Sequence, residues 1–206
     1  MSGKVKQTTL YDHSPNLVIG FHGCDRSTYD RVLHEHGFLK PSVNDYDWLG
    51  NGIYFWEQNL SRAWEWAENS RKILHPAVIG AVIDLGNCLN LLDRKFIKVL
   101  KRQYEIFSSE KLLCGDTIPV NKNVKGNTDL LLRYLDCAVI EYLHQTRKES
   151  HEVPFDSTRG VFFEGNRIYN TSGFYEQSHI QICVRNPNCI KGFFAPMRND
   201  PEWDVP

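Results

Sequence analysis

The chain has 206 residues, of which 24 are basic, 25 are acidic and 41% are hydrophobic, and its formal net charge is −1 at pH 7. A chain of this length can bury about 70% of its surface on folding, which is enough for one sizeable core. A net charge so close to zero provides no overall attraction to nucleic acid or to an anionic membrane. Composition therefore argues against non-specific polyanion binding as the whole function.

The apolar runs and the cysteines indicate the cellular compartment of the protein. Residues 1–7 are polar and lack the apolar core of a signal peptide, and the longest apolar run, residues 77–83, is too short to cross a bilayer. The six cysteines are scattered, form no Cys-x-x-Cys pair and mostly lie in apolar stretches, which predicts buried free thiols. We expect a cytoplasmic protein with no membrane contact.

The first predicted elements are a strand, a helix and a second strand. The apolar run at residues 17–22 predicts a buried strand. Ser27 and Asp30 form a variant capping box, which predicts the start of a helix that ends at Gly37. Residues 52–56 are rich in β-formers and predict the second strand.

A second helix is predicted to follow, with Asn59 as its N-cap, and to run to about residue 72. Leu60, Trp64 and Ala67 recur at helical spacing and are expected to form its apolar face.

The rest of the chain predicts an α+β fold rather than a doubly wound sheet, because strand-rich ends surround a helical middle. We expect one domain over residues 1–206, with a helical insertion at about residues 91–150. The remaining predicted elements are a strand, two helices and two further strands, at residues 77–85, 93–107, 128–146, 160–164 and 180–184.

Common catalytic motifs are absent from the sequence. It contains neither a Gly-x4-Gly-Lys-Ser/Thr loop nor a His-Glu-x-x-His pair. His34 and His36 face different directions on a predicted helix, so we expect them to be solvated and expect no metal site. His22 and Gly23 end an apolar strand with a polar group and a bare backbone, as a binding cleft would require, although a simple strand-to-loop turn is the alternative.

Two segments about thirty residues apart carry a family resemblance. Phe21-His22-Gly23, followed by Gly50-Asn51-Gly52-Ile53-Tyr54-Phe55 before a helix, closely resembles the ADP-ribosyltransferase superfamily, in the branch of diphtheria toxin and the poly(ADP-ribose) polymerases. The resemblance covers about residues 18–90 and returns near residues 160–193. It implies a split mixed β-sheet with flanking helices that binds NAD between two small sheets. The helical middle has no counterpart in the family.

The resemblance implies a role for each matched residue. His22 would hydrogen-bond a ribose hydroxyl of NAD, and the backbone of Gly23 would pair with the nicotinamide carboxamide. Tyr54 would stack on the nicotinamide ring. NAD would be a co-substrate, and no metal would be needed.

The second wall of the nicotinamide site departs from the family pattern. The family has an aromatic residue about eleven positions after the tyrosine, where this chain has Glu65 between Trp64 and Trp66. Trp66 is slightly preferred as the wall, because Trp64 shares a predicted face with the core. Arg133 and Arg159 are candidates to contact NAD phosphates, although paired surface arginines are the alternative.

The catalytic position at the start of a late strand is glutamate in the polymerases. Placing residues 186–190 on the turn after that strand assigns the position to Gln181, with Glu176 as the alternative. A glutamine carbonyl accepts a hydrogen bond but has no negative charge and takes no proton. We therefore expect transfer of single ADP-ribose units, with any base supplied by Glu176, Glu164 or the target.

The function expected from the resemblance is NAD-dependent mono-ADP-ribosyl transfer to a macromolecular acceptor, protein or nucleic acid, by an intracellular toxin or defence enzyme. A neutralising partner protein would accompany a toxin role. The loop before residue 180, with Phe174 and Tyr175, is where relatives recognise acceptors. One alternative is a binding module that recognises NAD or ADP-ribose without turnover. Another is an RNA 2′-phosphotransferase of the same fold, although we find no set of basic residues for an RNA 2′-phosphate.

Overall fold

The computed structural model of the protein describes residues 17–124, 129–197 and 201–202. Within these residues the fold is α+β, as expected from the sequence, with one mixed sheet and four α-helices. The strands are β1 (Leu17–Asp25), β2 (Ile53–Glu57), β3 (Pro76–Asp84), β4 (Cys88–Asn90), β5 (Ser157–Phe162), β6 (His179–Val184) and β7 (Ile190–Phe194).

The sheet has the order β4-β5-β6-β2-β1-β3-β7, and neighbouring strands are antiparallel except β4 and β5. Its two halves meet at a narrow junction. Strand β1 pairs with β3 through nine residues, but its described pairing with β2 consists of Gly20 opposite Glu57 and Phe21 opposite Trp56. We call this junction the seam. Beyond Phe21 no ladder pairing joins the described parts of β1 and β2, so the sheet opens there.

Helices α1 (Arg26–Leu33) and α2 (Leu60–Asn69) cover opposite faces of the sheet. Val32 of α1 packs in a cluster with Phe55 and Ile79, which defines the α1 face. Ala63 of α2 packs with Trp56 and Val78, which defines the α2 face. Because strand side chains alternate between faces, Tyr54, Trp56 and Gln181 all lie on the α2 face.

The predicted helical middle contains helices α3 (Arg94–Leu113) and α4 (Tyr134–Glu149). Leu143 of α4 and Phe96 of α3 pack with Leu89 of β4 and with Phe155, so the helical pair covers the β4 edge of the sheet. The start predicted for the second of these helices, residue 128, lies outside the described residues, and the helix begins at Tyr134.

Some element boundaries differ from those predicted. Asp25, not Ser27, is the N-cap of α1, because its carboxylate accepts the Ser27 N–H at 3.1 Å. Asn59 caps α2 as predicted, by accepting from the Arg62 N–H. Strand β5 begins at Ser157 rather than at residue 160, because it pairs with β6 from its first residue. No clear sequence pattern predicts strands β4 and β7. Strand β4 has three residues, and β7 follows a 3₁₀ turn at Pro187–Cys189.

Candidate functional site

The imidazole of His22 spans the open end of the seam. Its Nδ1 lies 2.8 Å from the backbone carbonyl oxygen of Tyr54. Because a carbonyl oxygen only accepts hydrogen bonds, Nδ1 carries the proton and Nε2 remains an acceptor. Burial lowers the pKa of His22, and the hydrogen bond to Tyr54 opposes this shift in part. The ring is therefore neutral at pH 7 and presents one bare nitrogen.

The backbone of Gly23 faces the opening between β1 and β2. The Gln58 N–H donates to the carbonyl of Ile19 at 2.9 Å, so Ile19 directs its backbone groups toward β2. Alternate residues of an antiparallel strand direct their backbone groups to the same side. Phe21 and Gly23 therefore also point toward β2, and Gly23 lies beyond the last described pair of the seam.

Helix α2 passes directly over Gly23. A Cβ at this position would lie 2.5 Å from the carbonyl oxygen of Ala63 and 3.1 Å from Cε3 of Trp66. Real Cβ atoms do not approach backbone oxygens this closely, so only glycine fits. The packing of α2 against β1 thus explains why this position is glycine. The family resemblance implies a second reason, which is contact with the ligand.

Tyr54 is held from its hydroxyl end. The hydroxyl donates to the carbonyl of Gly50 at 2.6 Å and accepts from the N–H of Leu49 at 2.9 Å. Burial is the main cause that raises the pKa of Tyr54 far above its ordinary value, so the phenol stays protonated. These bonds fix the ring on the α2 face beside Cys183, at the edge of the opening.

The two candidates for the catalytic position lie in different surroundings. Gln181 is half-buried in β6, opposite Trp56, and shares the α2 face with Tyr54. Glu176 is exposed in the connection between β5 and β6, where its Oε2 accepts from the backbone and side-chain amides of Asn166 at 3.2 and 3.3 Å. The structure therefore places Gln181, and not Glu176, on the same face as Tyr54.

Of the tryptophans of α2, Trp66 is the one that contacts the motif residues. Its ring lies 5.6 Å from the ring of Trp56, and it also approaches Gly23. Trp64 is 38% exposed, whereas Ala63 and Ala67 are fully buried. The apolar face of α2 therefore runs through residues 60, 63 and 67, and the expectation that Trp64 lies on it was wrong. Ala63, and not Trp64, packs against Trp56 and Val78, together with Leu60.

A charged cluster joins α2 to the strands beside the seam. We call Arg62, Glu65, Glu164, Gln177 and His179 the Arg62 cluster. Arg62 Nη1 lies 2.6 Å from Glu65 Oε2, and its Nη2 lies 3.1 Å from Glu164 Oε2. His179 Nδ1 lies 2.7 Å from the carbonyl of Gln177 and 3.5 Å from Glu164 Oε2. The side-chain amide of Gln177 also donates to Glu65.

Burial shifts both titrating groups at the centre of this cluster. It raises the pKa of Glu164, against the opposing effect of Arg62, and it lowers the pKa of His179 to about 4. His179 is therefore neutral at pH 7, with its proton on Nδ1 and a lone pair on Nε2.

Three buried polar atoms in this region make no hydrogen bond with any described residue. They are Nε2 of His179, Nε1 of Trp56 and Nε of Arg62. The rings of His179 and Trp56 lie 6.5 Å apart, and Phe162 lies 5.8 Å from His179. Buried polar atoms without partners are uncommon in folded proteins. Their concentration here offers one acceptor and two donors to a polar group that enters between α2 and β6.

The two arginines considered as phosphate contacts differ in their surroundings. The guanidinium of Arg133 lies 4.3 Å from the ring centre of Trp48 and 4.8 Å from that of Phe162, on the His179 side of the site. Arg159 makes a two-point ion pair with Glu57, at 2.5 and 2.7 Å. Arg133 is also paired, with Asp136 Oδ2 at 3.5 Å, so both arginines have an acidic partner, as the alternative expectation holds.

Surface grooves occur elsewhere in the molecule. Two grooves of about 360 and 380 Å³ run along α4 and share Ala138 and Glu141 as lining residues. Neither is lined by His22, Tyr54 or Gln181.

Sequence reasoning overlooked His179 and Arg62. Alternation along β6 places residues 179 and 181 on one face, so the strand pattern could have identified His179 once Gln181 was chosen. The Arg62–Glu164 pair joins residues 102 positions apart, and no local pattern indicates it.

Comparison with known proteins adds one relative. No protein-family model matches the chain. The chain is 25% identical over 191 residues, 83% of its own length and 83% of the other protein, to an uncharacterized protein of Methanocaldococcus jannaschii. Because that relative is itself uncharacterized, it adds no information on activity. Among the described residues, no helix is long and apolar enough to cross a membrane.

Proposed function

We propose that the protein is an NAD-dependent mono-ADP-ribosyltransferase whose site lies at the open end of the seam. The observation that carries the proposal is the contact between His22 and Tyr54. Two sequence motifs that are 32 residues apart meet where the two halves of the sheet separate, and the split-sheet architecture of the superfamily would require this arrangement. The relation of the chain to that superfamily is part of the proposal.

The functional groups at the seam match those of NAD in hydrogen-bonding and aromatic character. Nε2 of neutral His22 can accept from a ribose hydroxyl, since Nδ1 is committed to Tyr54. The N–H and C=O of Gly23 can pair with a carboxamide, which has one donor and one acceptor group. The ring of Tyr54 offers a flat, electron-rich face to a pyridinium. Its hydroxyl bonds to Leu49 and Gly50 hold that face in place.

NAD supplies an activated glycosidic bond, whose cleavage develops positive charge on the ribose ring. The side-chain carbonyl of Gln181 would accept from the ribose 2′-hydroxyl on the α2 face, and this hydrogen bond would strengthen as that charge grows. Gln181 lacks the charge of a carboxylate, so its contribution is smaller. We therefore expect single ADP-ribose units on the acceptor rather than chains.

A non-catalytic binding module is the second candidate function. The observation that favours it is the uncharged Gln181 at the position where the polymerases carry a glutamate. Such a module would bind NAD saturably at the seam and release no nicotinamide.

Labelled NAD tests the proposal. The purified protein is incubated with labelled NAD and with cell extract separated into protein and nucleic-acid fractions, and the products are identified by mass spectrometry. One added ADP-ribosyl unit per acceptor site would support the proposal. Ladders of polymer would refute single transfer, and saturable NAD binding without nicotinamide release would favour the binding module.

A further inference from the structure

The proposed reaction requires a proton acceptor that Gln181 does not provide. When the hydroxyl or amine of an acceptor bonds to ADP-ribose, it loses a proton, and a neutral carboxamide does not take it up. Carboxylates near Gln181 on the α2 face are the candidates for this proton acceptor. Glu65 and Glu164 of the Arg62 cluster are the carboxylates that contact this region.

Glu164 lies on the side of the cluster that adjoins β6. It follows β5 by two residues, and the last residue of β5, Phe162, is paired with His179. His179 in turn precedes Gln181 by two residues on the same face of β6. Glu164 is thus at the rim of the α2 face, next to the strand that carries Gln181.

The contacts of Glu164 use one of its two oxygens. Oε2 meets Arg62 Nη2 at 3.1 Å and His179 Nδ1 at 3.5 Å. Oε1 makes no hydrogen bond or ion pair with any described residue. Arg62 therefore anchors one oxygen of a nearly buried carboxylate, and neutral His179 lies beside that oxygen while its proton is donated to the Gln177 carbonyl. Among the described residues, the other oxygen has no donor.

We propose that Glu164 takes the proton of the acceptor group through Oε1, with Arg62 as the positioning residue that holds its carboxylate. The inference rests on the proposed function. In the step, the bond between C1′ and the acceptor oxygen or nitrogen forms. The bond between C1′ and the nicotinamide nitrogen breaks, and its electron pair leaves with nicotinamide. The acceptor's proton passes to Glu164 and then to solvent.

The charges around Glu164 suit this role. Arg62 faces it from α2, His179 from β6, and Asp129 and Arg133 from the segment before α4. Burial raises the pKa of Glu164 and Asp129 acts in the same direction, whereas Arg62 and Arg133 lower it. A carboxylate whose pKa is raised is a stronger base than an exposed one, and it is closer to the range that suits proton transfer near pH 7.

The test uses Glu164→Gln, with Glu68→Gln as the matched control because Glu68 is an exposed carboxylate on α2. Water and methanol serve as acceptors, and free and methylated ADP-ribose are measured as products across pH. We expect Glu164→Gln to slow both transfers by about a hundredfold and to abolish the acid limb of the pH–rate profile, while NAD affinity is kept. Glu68→Gln should match the wild type.

A second variant separates base catalysis from a structural role. Glu164→Ala in the presence of formate should recover transfer, because the small carboxylate replaces the missing base, whereas a merely structural defect would show no recovery. If the wild type turns over NAD but Glu164→Gln reacts at the same rate, or keeps the acid limb of the pH–rate profile, this inference is overturned and the proposed function is not. An absence of nicotinamide release by the wild type would overturn the proposed function and this inference with it.

Discussion

Nδ1 of His22 in β1 and the carbonyl oxygen of Tyr54 in β2 are 2.8 Å apart, although no ladder pairing joins these parts of the two strands. The side chain thus takes the place of a backbone hydrogen bond where the sheet opens. It also leaves Nε2 as a bare acceptor, on a ring that lies on the α1 face beside Phe55. Under the proposed function, one imidazole would combine this structural bond with a contact to NAD.

Gly23→Ala should destabilise the protein and disturb the seam. The new Cβ would lie 2.5 Å from the carbonyl of Ala63, so α2 must move away from β1. We expect a loss of about 1–3 kcal/mol in the free energy of unfolding, measured by urea denaturation. Gly173→Ala is the control, because nothing lies within 4 Å of the Cβ that it adds. Equal stability of the two variants would contradict the packing described for α2.

Tyr54→Phe should separate the two roles of this tyrosine. Loss of the hydroxyl removes the acceptor of the Leu49 N–H and leaves the Gly50 carbonyl with only the weak thiol donor of Cys183, at a cost of about 1–3 kcal/mol. The aromatic ring remains, so NAD affinity should change little, whereas Tyr54→Ala should weaken both stability and binding. Urea denaturation and calorimetric titration with NAD measure the two effects. Tyr54→Phe with full stability would contradict the anchoring described here.

Local patterns predicted more of the fold than of the site. The run before His22 and the cap at Asn59 are local signals, and the structure confirms both elements. The Arg62–Glu164 pair and the opposition of Phe162 to His179 depend on strand order, which periodicity does not specify. The error over Trp64 has the same origin, because helical spacing marked an apolar face but did not show that Ala63, rather than Trp64, packs against the sheet.

Glu57→Gln should be strongly destabilising. The Glu57 carboxylate holds Arg159 at two points, and both side chains are mostly buried, at 10% and 18% exposure. Removing the Glu57 charge leaves the Arg159 charge without a countercharge, with Asn90 Oδ1 at 3.4 Å as a neutral partner, at a cost of about 3 kcal/mol. The double variant Glu57→Leu with Arg159→Leu should recover part of this loss. The exposed pair of Lys111 and Asp116 provides a control, since Asp116→Asn should leave stability unchanged.

Stability should fall as the pH drops below about 6.5. Burial lowers the pKa of His144 to about 4, and Arg185 and Arg147 act in the same direction while Glu141 opposes them. Between pH 6.5 and 4 the unfolded chain binds more protons than the native state, so acidification favours unfolding. His179 adds to the effect in the same window. Urea denaturation at pH 7 and pH 5 should show the loss, and His144→Leu should reduce it. A wild-type stability that does not change between these pH values would contradict the burial of both imidazoles.

We propose that the seam binds NAD and cleaves its nicotinamide–ribose bond. The most direct test is the rate of nicotinamide release from NAD by the wild type, Tyr54→Ala and Gln181→Ala, measured together with NAD affinity. We expect release by the wild type, weaker NAD binding for Tyr54→Ala, and slower release with nearly unchanged binding for Gln181→Ala. Equal activity of both variants with the wild type, or no release by any of them, would contradict the proposal.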